Sequence, residues 1–483
     1  MKYRFVLSAI LLALLINVCN MMAQASGPSP FTSVWTYPAE VASSVAVGDF
    51  DRDGRLDYAY TDNIANTLTV IVASGSRTYA VGVQPDQIVN VDGNLVVKNR
   101  GDDSLSILLG YGDPFTLGAP IHLEGVPRAI TAADFNHDGI GDIAVVDCPA
   151  GSACKLEIYV GTADGRYTLF QSIVLPGPAS RFDRLLIAAD FNSDRRPDLA
   201  LVMSDSKLLL FSDTADGHLQ FLSSFDFAAG TVVASMAAAA FGSDTALDLA
   251  VRVIDPCAAV CGYTNSVKIV RNPRNGFFGV SNSIAVAPSS VGGFLVAAVV
   301  NEDQLQDIVT VSADYDHPTV QYSLGRVNGT FGSAITFSKY PGERINQPTD
   351  MLARDINFDS RKDVVISTSD AIGDDYAGIF TLMNNSPRAN CNSPDARNLA
   401  INVCAPFSTA AVLSPVTVQV VANAPAGVKR VEVWVDGVKP LQSWSDQIWS
   451  RLAMSSGSHR LVAIAYDENS SYVSSKPVYV NVK

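Results

Sequence analysis

One phrase returns along most of this chain, and it constrains the fold more than any other feature. The phrase is an apolar strand, an acidic loop and an Asp that opens a second apolar strand. Four copies are well preserved, at residues 45–57, 130–142, 190–198 and 355–363. Three copies are degenerate, at residues 89–97, 240–248 and 301–307. Seven copies at intervals of roughly 37 to 60 residues indicate a repeat architecture in which each copy is one structural unit.

A second signal follows the copies: a third apolar run, a tight turn and a fourth run. The turns contain Asp-Gly or Asn-Gly, at Gly165, Gly217, Gly276 and Gly329. Such pairs are typical of type I′ hairpin turns, whose two central residues both need positive φ. Each copy therefore predicts a four-stranded antiparallel unit.

Four short strands per repeat, without helical periodicity, favour the blades of a β-propeller over a β-solenoid or a string of sandwiches. The last copy has three strands, at 351–356, 364–368 and 378–384, and an orphan strand at 31–37 precedes the first copy. We predict that this N-terminal strand pairs with the strand near Phe380 and closes a ring. The expected fold is all-β, a seven-bladed β-propeller followed by a small immunoglobulin-like β-sandwich.

The acidic loops place oxygen-bearing side chains at positions 1, 3, 5 and 9, with a carbonyl at position 7, a pattern that suits Ca²⁺. Gly at position 6 permits the sharp turn in the first two loops, whereas Arg195 and Ser360 stand there in the third and fourth. The alternative is a set of Asp-rich turns whose side chains cap backbone amides. The predicted ligands are Asp49, Asp51, Asp53, Arg55 and Asp57 in loop 1; Asp134, Asn136, Asp138, Ile140 and Asp142 in loop 2; Asp190, Asn192, Asp194, Arg196 and Asp198 in loop 3; and Asp355, Asn357, Asp359, Arg361 and Asp363 in loop 4.

Two degenerate loops keep fewer of these oxygens. Asn301, Asp303 and Asp307 are a remnant of the pattern, and Ala240 and Gly242 replace the first two ligands before Asp248. We expect the loop that ends at Asp248 to be empty.

The sequence from Gly48 to Asp57, with its copies, resembles the FG-GAP or VCBS repeat of integrin α-subunit propellers and of many bacterial exported proteins. The resemblance covers roughly residues 31–387. It implies a seven-bladed ring with Ca²⁺ in the loops that join the first two strands of a blade. The family includes adhesins, lectins and a few polysaccharide-active enzymes, so function stays open within it.

The N-terminus has a charged start, an apolar run at 5–16 and the small-x-small sequence Ala23-Gln24-Ala25. This pattern predicts a signal peptide over 1–25, since the apolar run is shorter than the about 20 residues of a membrane anchor. We expect a chain that is secreted, at the cell surface or periplasmic, is not inserted in the membrane after cleavage, and is a monomer. A formal net charge of −14 argues against nucleic acid as a partner.

Six cysteines outside the signal peptide fall in close pairs, Cys148 with Cys154, Cys257 with Cys261 and Cys391 with Cys404. In an oxidising compartment such pairs predict disulfides that staple loops. A zinc site is the weaker alternative, because no His lies near these pairs.

The C-terminal region follows a turn-rich segment that we interpret as a linker with a Cys pair, residues 388–404. Period-two alternation over 405–483 predicts a small sandwich that resembles bacterial immunoglobulin-like domains. Trp434, Trp444 and Trp449 offer an aromatic platform for sugars, or they cover sheet edges, which is the more ordinary role.

Catalysis has little support in the sequence. The five His are dispersed, no nucleophile elbow or zinc-binding His pair is present, and His137 is most simply a solvated turn residue. We therefore expect a non-enzymatic module that binds an extracellular protein or glycan ligand. The alternative is a polysaccharide-active enzyme, a lyase or hydrolase, on the same fold.

Overall fold

The computed structural model describes most of the chain beyond residue 30. The described residues are 31–39, 41–53, 56–110, 115–177, 180, 183–241, 246–256, 263–272, 279–287, 292–301, 305–312, 318–337, 347–356, 362–369, 377–384, 394, 398–406, 410–412, 414, 416–443 and 446–482. The predicted signal peptide and the pair Cys257 and Cys261 lie outside them. All regular structure within them is β-strand.

Residues 31–384 form seven antiparallel sheets, which we number 1 to 7 along the chain. The strands of the first half are β1 (Phe31–Pro38), β2 (Ser44–Gly48), β3 (Asp57–Asp62), β4 (Thr67–Val72), β5 (Gly75–Ala80), β6 (Pro85–Val91), β7 (Asn94–Asn99), β8 (Ser104–Leu109), β9 (Thr116–Leu117), β10 (Ile121–His122), β11 (Val126–Ala133), β12 (Asp142–Cys148), β13 (Lys155–Gly161) and β14 (Tyr167–Val174). Those of the second half are β15 (Leu186–Ala189), β16 (Asp198–Met203), β17 (Lys207–Asp213), β18 (Leu219–Asp226), β19 (Val232–Ala239), β20 (Asp248–Pro256), β21 (Tyr263–Arg271), β22 (Gly279–Ala285), β23 (Gly293–Ala298), β24 (Asp307–Ser312), β25 (Val320–Ser323), β26 (Ile335–Thr336), β27 (Pro348–Arg354), β28 (Asp363–Thr368) and β29 (Gly378–Asn384).

Six sheets have four strands, and sheet 2, formed by β6 to β10, has five. Burial falls from the second strand to the fourth in sheets 3 and 4: β12 and β16 are almost wholly buried, whereas β14 and β18 are largely exposed or half-buried. The apolar runs of these two second strands are therefore covered on both faces, and the fourth strands lie toward solvent.

The first strands contact one another in cyclic order: β2, β6, β11, β15, β19, β23, β27 and β2 again. Sheet 7 is completed by β1, which pairs antiparallel with β29 and places Trp35 opposite Phe380. The predicted pairing of the N-terminal strand with the strand near Phe380 is confirmed. Both chain ends of the seven-sheet region thus lie in one sheet.

The hairpins differ from the predicted turn type. Gly165 and Gly217 have φ of 78° and 80°, but the Asp before each is not among the residues with positive φ. The loop at Gly165 is longer than the two residues of a type I′ hairpin: the hydrogen bond that closes it runs from Thr162 N–H to the Arg166 carbonyl, at 2.9 Å. The type I′ pattern of two positive φ values occurs instead at Asp92-Gly93, with φ of 49° and 88°.

The C-terminal region contains a three-stranded sheet, β30-β32-β35, and a six-stranded sheet built on β31, β38, β36, β33 and β34, with β37 beside β36. Buried side chains of both sheets, such as Val418 and Val433, belong to one core. The first strand lies within the segment that we interpreted as a linker. The bounds are β30 (Ala400–Ala405), β31 (Ala410–Val412), β32 (Val416–Asn423), β33 (Val428–Val435), β34 (Val438–Ser443), β35 (Gln447–Leu452), β36 (Gly457–Asp467), β37 (Tyr472–Ser474) and β38 (Val478–Val482).

The predicted disulfide between Cys148 and Cys154 is present, with an S–S distance of 2.09 Å. Cys404 is also disulfide-bonded. Its expected partner, Cys391, lies outside the described residues.

Candidate metal loops and central cavity

A buried Asp opens the second strand in six of the seven sheets. Each accepts a hydrogen bond from the backbone N–H seven residues earlier, at 2.7 to 3.3 Å. The six are Asp57, Asp142, Asp198, Asp248, Asp307 and Asp363, and each is at most 4% exposed. Because this bond forms in preserved and degenerate copies alike, it stabilises the loop independently of any metal.

The second oxygen of this Asp ties the loop to the end of the third strand. Asp142 accepts from Gly161 N–H at 2.8 Å, and Asp307 accepts from Gly325 N–H at 2.7 Å. In sheet 2, where the acidic loop is lost, Oδ1 of Asn94 accepts the corresponding hydrogen bond from Gly110 N–H, at 2.9 Å. The residue at position 9 therefore joins its loop to the third strand and is also a candidate metal ligand; we call it the latch residue.

Loop 2 (residues 134–142) turns around its own carboxylates. Asp134 accepts N–H bonds from Asp138 at 3.1 Å and from Gly139 at 3.0 Å. Asp138 in turn accepts the N–H of Ile140 at 2.8 Å. Gly139 has φ of 84°, so position 6 requires the left-handed conformation that the sequence predicted.

Loop 3 (residues 190–198) repeats this geometry. Asp190 accepts N–H bonds from Asp194 at 3.1 Å and from Arg195 at 2.8 Å. Arg195 adopts φ of 70°, so a non-Gly residue occupies the strained position. The Arg196 guanidinium pairs with Asp194, while the Arg196 N–H donates to the same carboxylate at 2.9 Å.

Loop 1 (residues 49–57) brings three predicted ligands together. Oxygens of Asp49, Asp51 and Asp57 lie within 4.8 Å of one another, the one such group of three acidic, His or Cys side chains in the described part of the chain. Asp53 is exposed and donates its N–H to Asp51 at 3.1 Å. Arg55, whose carbonyl was predicted as a ligand, lies outside the described residues.

Loop 4 is described only at its ends, Asp355 and Asp363. Asp363 accepts N–H bonds from Ile356 at 2.8 Å and from Asn384 at 2.7 Å, like the other latch residues. Asn357, Asp359 and Arg361 fall outside the description.

The latch residues differ in how their charge is balanced. Asp248, in the copy that lost its first two ligands, pairs with Arg271 Nη1 at 2.5 Å. Within the described residues, no Lys, Arg or His lies in ion-pair distance of Asp57, Asp142 or Asp198. Burial raises the pKa of Asp57 and of Asp198 to about 6, and it also raises the pKa of Asp142. Three carboxylates in the ligand-rich loops are therefore desolvated, and no described residue supplies a cation to them.

His137 is an exposed turn residue, as predicted, but it also contacts a buried carboxylate. Its Nε2 lies 2.6 Å from Oδ2 of Asp213, which is buried at the end of β17. The same Asp213 donates its N–H to Asp198 at 3.1 Å. Loop 2 thus contacts the sheet that carries loop 3, a contact that spans 76 residues and left no local signal in the sequence.

A cavity of about 490 Å³ lies between the first strands of sheets 1, 2 and 7. Val47, Asp92, Leu352 and Arg354 are among its lining residues, from the ends of β2 and β27 and from the turn after β6. Loop 1 begins directly after β2, and loop 4 begins directly after β27. The cavity is therefore flanked by two of the candidate metal loops.

Arg184 ties together the starts of the same three strands. Its guanidinium donates to the carbonyls of Ser43 at 2.7 Å and Thr349 at 2.8 Å, and also to the carbonyl of Asp86. Asp350 lies 3.2 Å from Arg184 Nη1. One side chain thus joins sheets 1, 2 and 7 at the end opposite to the metal loops.

The predicted tryptophan platform is described only at Trp434, which is half-buried. Its Nε1 donates to Glu432 at 3.1 Å, and Arg430 and Lys439 also pair with Glu432. Trp444 and the Trp449 side chain lie outside the description. Trp434 is part of an ion-pair cluster on the outer face of the six-stranded sheet.

The chain matches no family model and no curated protein. Among solved structures, a chain in the crystal structure of BBS1N in complex with ARL6DN is 12% identical, covers 75% of this chain and 98% of its own, and has a TM-score of 0.50. A putative 6-phosphogluconolactonase from Bacteroides fragilis is 16% identical and covers 68% of this chain and 94% of its own, with a TM-score of 0.44. These neighbours are β-propeller-like, and at such identities the likeness concerns the fold alone.

None of the described residues belongs to a helix long and apolar enough to span a membrane.

Proposed function

We propose that this chain is an exported, calcium-stabilised propeller of seven blades, of the FG-GAP/VCBS type, with a C-terminal immunoglobulin-like domain. In this proposal it acts as a non-catalytic binding module for an extracellular protein or glycan ligand. The cyclic contact of the seven first strands supports the blade number. The two facing sheets of the C-terminal region support a sandwich.

The observation that carries the calcium proposal is the buried charge of Asp57, Asp142 and Asp198. A buried carboxylate without a partner is costly, so it normally pairs with a cation or binds a metal. Where the loop has lost its ligands, at Asp248, the chain supplies Arg271 instead. In the loops that keep their oxygen ligands, Ca²⁺ is the cation whose coordination chemistry fits.

The binding role follows from where the loops lie. Metal ions would fix several loops at one end of the sheets and present them, with the cavity, as a rigid surface. Function on such scaffolds is carried by loops held in place by the sheets.

The test is a screen of the mature chain on glycan and polysaccharide arrays, in millimolar calcium and in EDTA, with an assay for released sugar. Binding that is lost in EDTA without released sugar is the expected result. Released sugar would instead favour a polysaccharide lyase or hydrolase, and binding unaffected by EDTA would contradict the calcium-organised surface.

A further inference from the structure

The cavity between sheets 1, 2 and 7 is lined by residues of β2, of β27 and of the end of β6 with its turn. Several of these residues, such as Val47 and Arg354, lie at the ends of the strands, where loops 1 and 4 begin. At the starts of the same strands, Arg184 joins the carbonyls of Ser43, Asp86 and Thr349. We call the cavity the cup, and we call its side next to loops 1 and 4 the mouth.

The mouth carries a cation without an ion-pair partner. Arg354 is exposed and lines the cavity, and its guanidinium makes no hydrogen bond or ion pair with the described residues. Most other described arginines near the channel, such as Arg128 and Arg184, are paired with carboxylates. In a chain of net charge −14, an unpaired guanidinium at a cavity mouth is suited to an anionic group, above all a carboxylate that it can bind with two hydrogen bonds.

The walls present acceptors and donors to the rest of a ligand. β2, β6 and β27 are edge strands of their sheets, so part of their backbone N–H and C=O groups has no partner strand and faces the channel. Asn90 and Asp92 add an amide and a carboxylate to the lining. The charge of Asp92 disfavours any anion close to it, so a compact anion such as phosphate is not favoured, whereas a longer ligand can place its carboxylate at Arg354 and a hydroxyl at Asp92. Oδ2 of Asp92 accepts the Gly141 N–H at 2.5 Å, which leaves Oδ1 for that hydroxyl.

We infer that this cup binds a polyhydroxylated carboxylate, such as a sugar acid, with its carboxylate on Arg354 and its hydroxyls on the strand edges and Asp92. The volume of about 490 Å³ lies within the range of small-ligand pockets and accommodates one or two sugar units. This inference rests on the proposed binding function and names the ligand class.

The experiment is isothermal titration of the full mature chain, in calcium, with D-gluconate and D-galacturonate. Glucose and galactose serve as matched sugars without a carboxylate, and inorganic phosphate serves as a compact anion. We expect saturable binding of the acids, at least tenfold weaker binding of the neutral sugars, and no binding of phosphate.

Arg354→Gln should weaken the binding of the acids at least tenfold, since the carboxylate loses its partner. Arg166→Gln is the control, because it removes the same charge from a hairpin tip where Arg166 is 79% exposed. Both changes are at exposed positions, and equal melting temperatures would show that both variants fold.

Equal binding of neutral sugars, binding of phosphate, or an Arg354→Gln variant with unchanged affinity would overturn the inference. If no sugar acid binds while calcium-dependent binding to another array ligand persists, the ligand class is wrong and the binding function stands. If no array ligand binds in calcium either, the proposed function fails with it.

Discussion

Loop 3 and the loop before Asp248 occupy equivalent places in neighbouring sheets, yet they balance a buried charge differently. Asp198 and Asp248 accept the same backbone N–H bonds and are equally buried. Asp248 has Arg271 Nη1 at 2.5 Å, whereas Asp198, in a loop that keeps the predicted oxygen ligands in its sequence, has no Lys, Arg or His in ion-pair distance among the described residues. The comparison shows that both loops keep the backbone contacts of this position, while only Asp248 has a side-chain cation beside it. In our proposal a metal ion supplies the missing cation at Asp198.

The largest expected effect is removal of calcium from the intact chain. With Kd values from about 0.1 to 1 mM for extracellular modules, each filled site in 10 mM calcium adds about 1.5 to 3 kcal/mol. Three filled sites together should lower the free energy of unfolding by about 5 kcal/mol when EDTA is added. Calorimetry in both buffers measures this, and magnesium in place of calcium is the control. An unchanged melting temperature in EDTA would contradict a metal in these loops.

The second-largest expected effect is the removal of the Arg271 guanidinium, the cation that the chain itself places beside Asp248. Arg271→Met leaves the Asp248 carboxylate buried with its backbone N–H donors but without a cation, so we expect a loss of about 3 kcal/mol that is equal with calcium and with EDTA. Asp248→Asn on the same background should restore part of the loss. Urea denaturation of the single and double variants gives the values, and a calcium-dependent loss would show that the two loops do not differ as we argue.

Asp51→Ala, unlike Arg271→Met, should cause a loss of stability that depends on calcium. Asp51 is a candidate ligand that is not a latch residue, so the variant should lose about 1 to 3 kcal/mol in calcium and little in EDTA. Asp216→Ala, at a hairpin tip where Asp216 is 76% exposed, is the matched control. A similar loss in both buffers would make Asp51 a structural turn residue.

Acid should act on the buried carboxylates of both kinds of loop, because burial raises the pKa of Asp248 as well as that of Asp198. Burial raises the pKa of Asp198 to about 6 from the 3.8 expected in an unfolded chain, so the calcium-free folded protein retains a proton that the unfolded chain has released. The retained proton on Asp198 contributes favourably to the free energy of unfolding; this contribution is complete below pH 4 and is lost as the pH rises through 6. In EDTA, Asp198→Asn should therefore lessen the difference in unfolding free energy between pH 5 and pH 7, on the order of 1 kcal/mol. Calcium stabilisation should change in the opposite direction, weakening below pH 6 because protons compete for the carboxylates.

The smallest effect concerns position 6. Arg195→Gly removes a non-Gly residue from φ of 70°, and we expect a gain of about 0.5 kcal/mol and tighter calcium binding by loop 3. Gly139→Arg in loop 2 is the reciprocal change; no atom beyond those of Gly139 and its chain neighbours lies within 4 Å of the added Cβ, and the change should cost a similar amount. Thermal melts of the two variants measure the pair, and a loss on Arg195→Gly would mean that the arginine side chain itself stabilises the loop.

The sequence predicted most of the strands and the candidate loops, because both depend on neighbours in the chain. Alternating and continuous apolar runs mark strands, and the spacing of Asp49, Asp51 and Asp57 brings their oxygens together within one short turn. The closing strand was predictable as well, since sheet 7 lacked one strand and β1 was left over. The turn type at Gly165 was wrong because an Asp-Gly pair does not by itself set the length of its loop.

By itself, then, the sequence determined the repeat, most strands and the candidate loops, because these depend mainly on residues that are close in the chain. Only the tertiary structure decided which cations reach which carboxylates. Arg271 meets Asp248 from the third strand of its sheet, His137 meets Asp213 from a neighbouring sheet, and Arg184 joins three sheets at once. The cup beside Arg354 arises in the same way, since its walls come from strands about 300 residues apart that the closing of the ring brings together. Electrostatic balance depends on distance in space, so no local pattern could have revealed it.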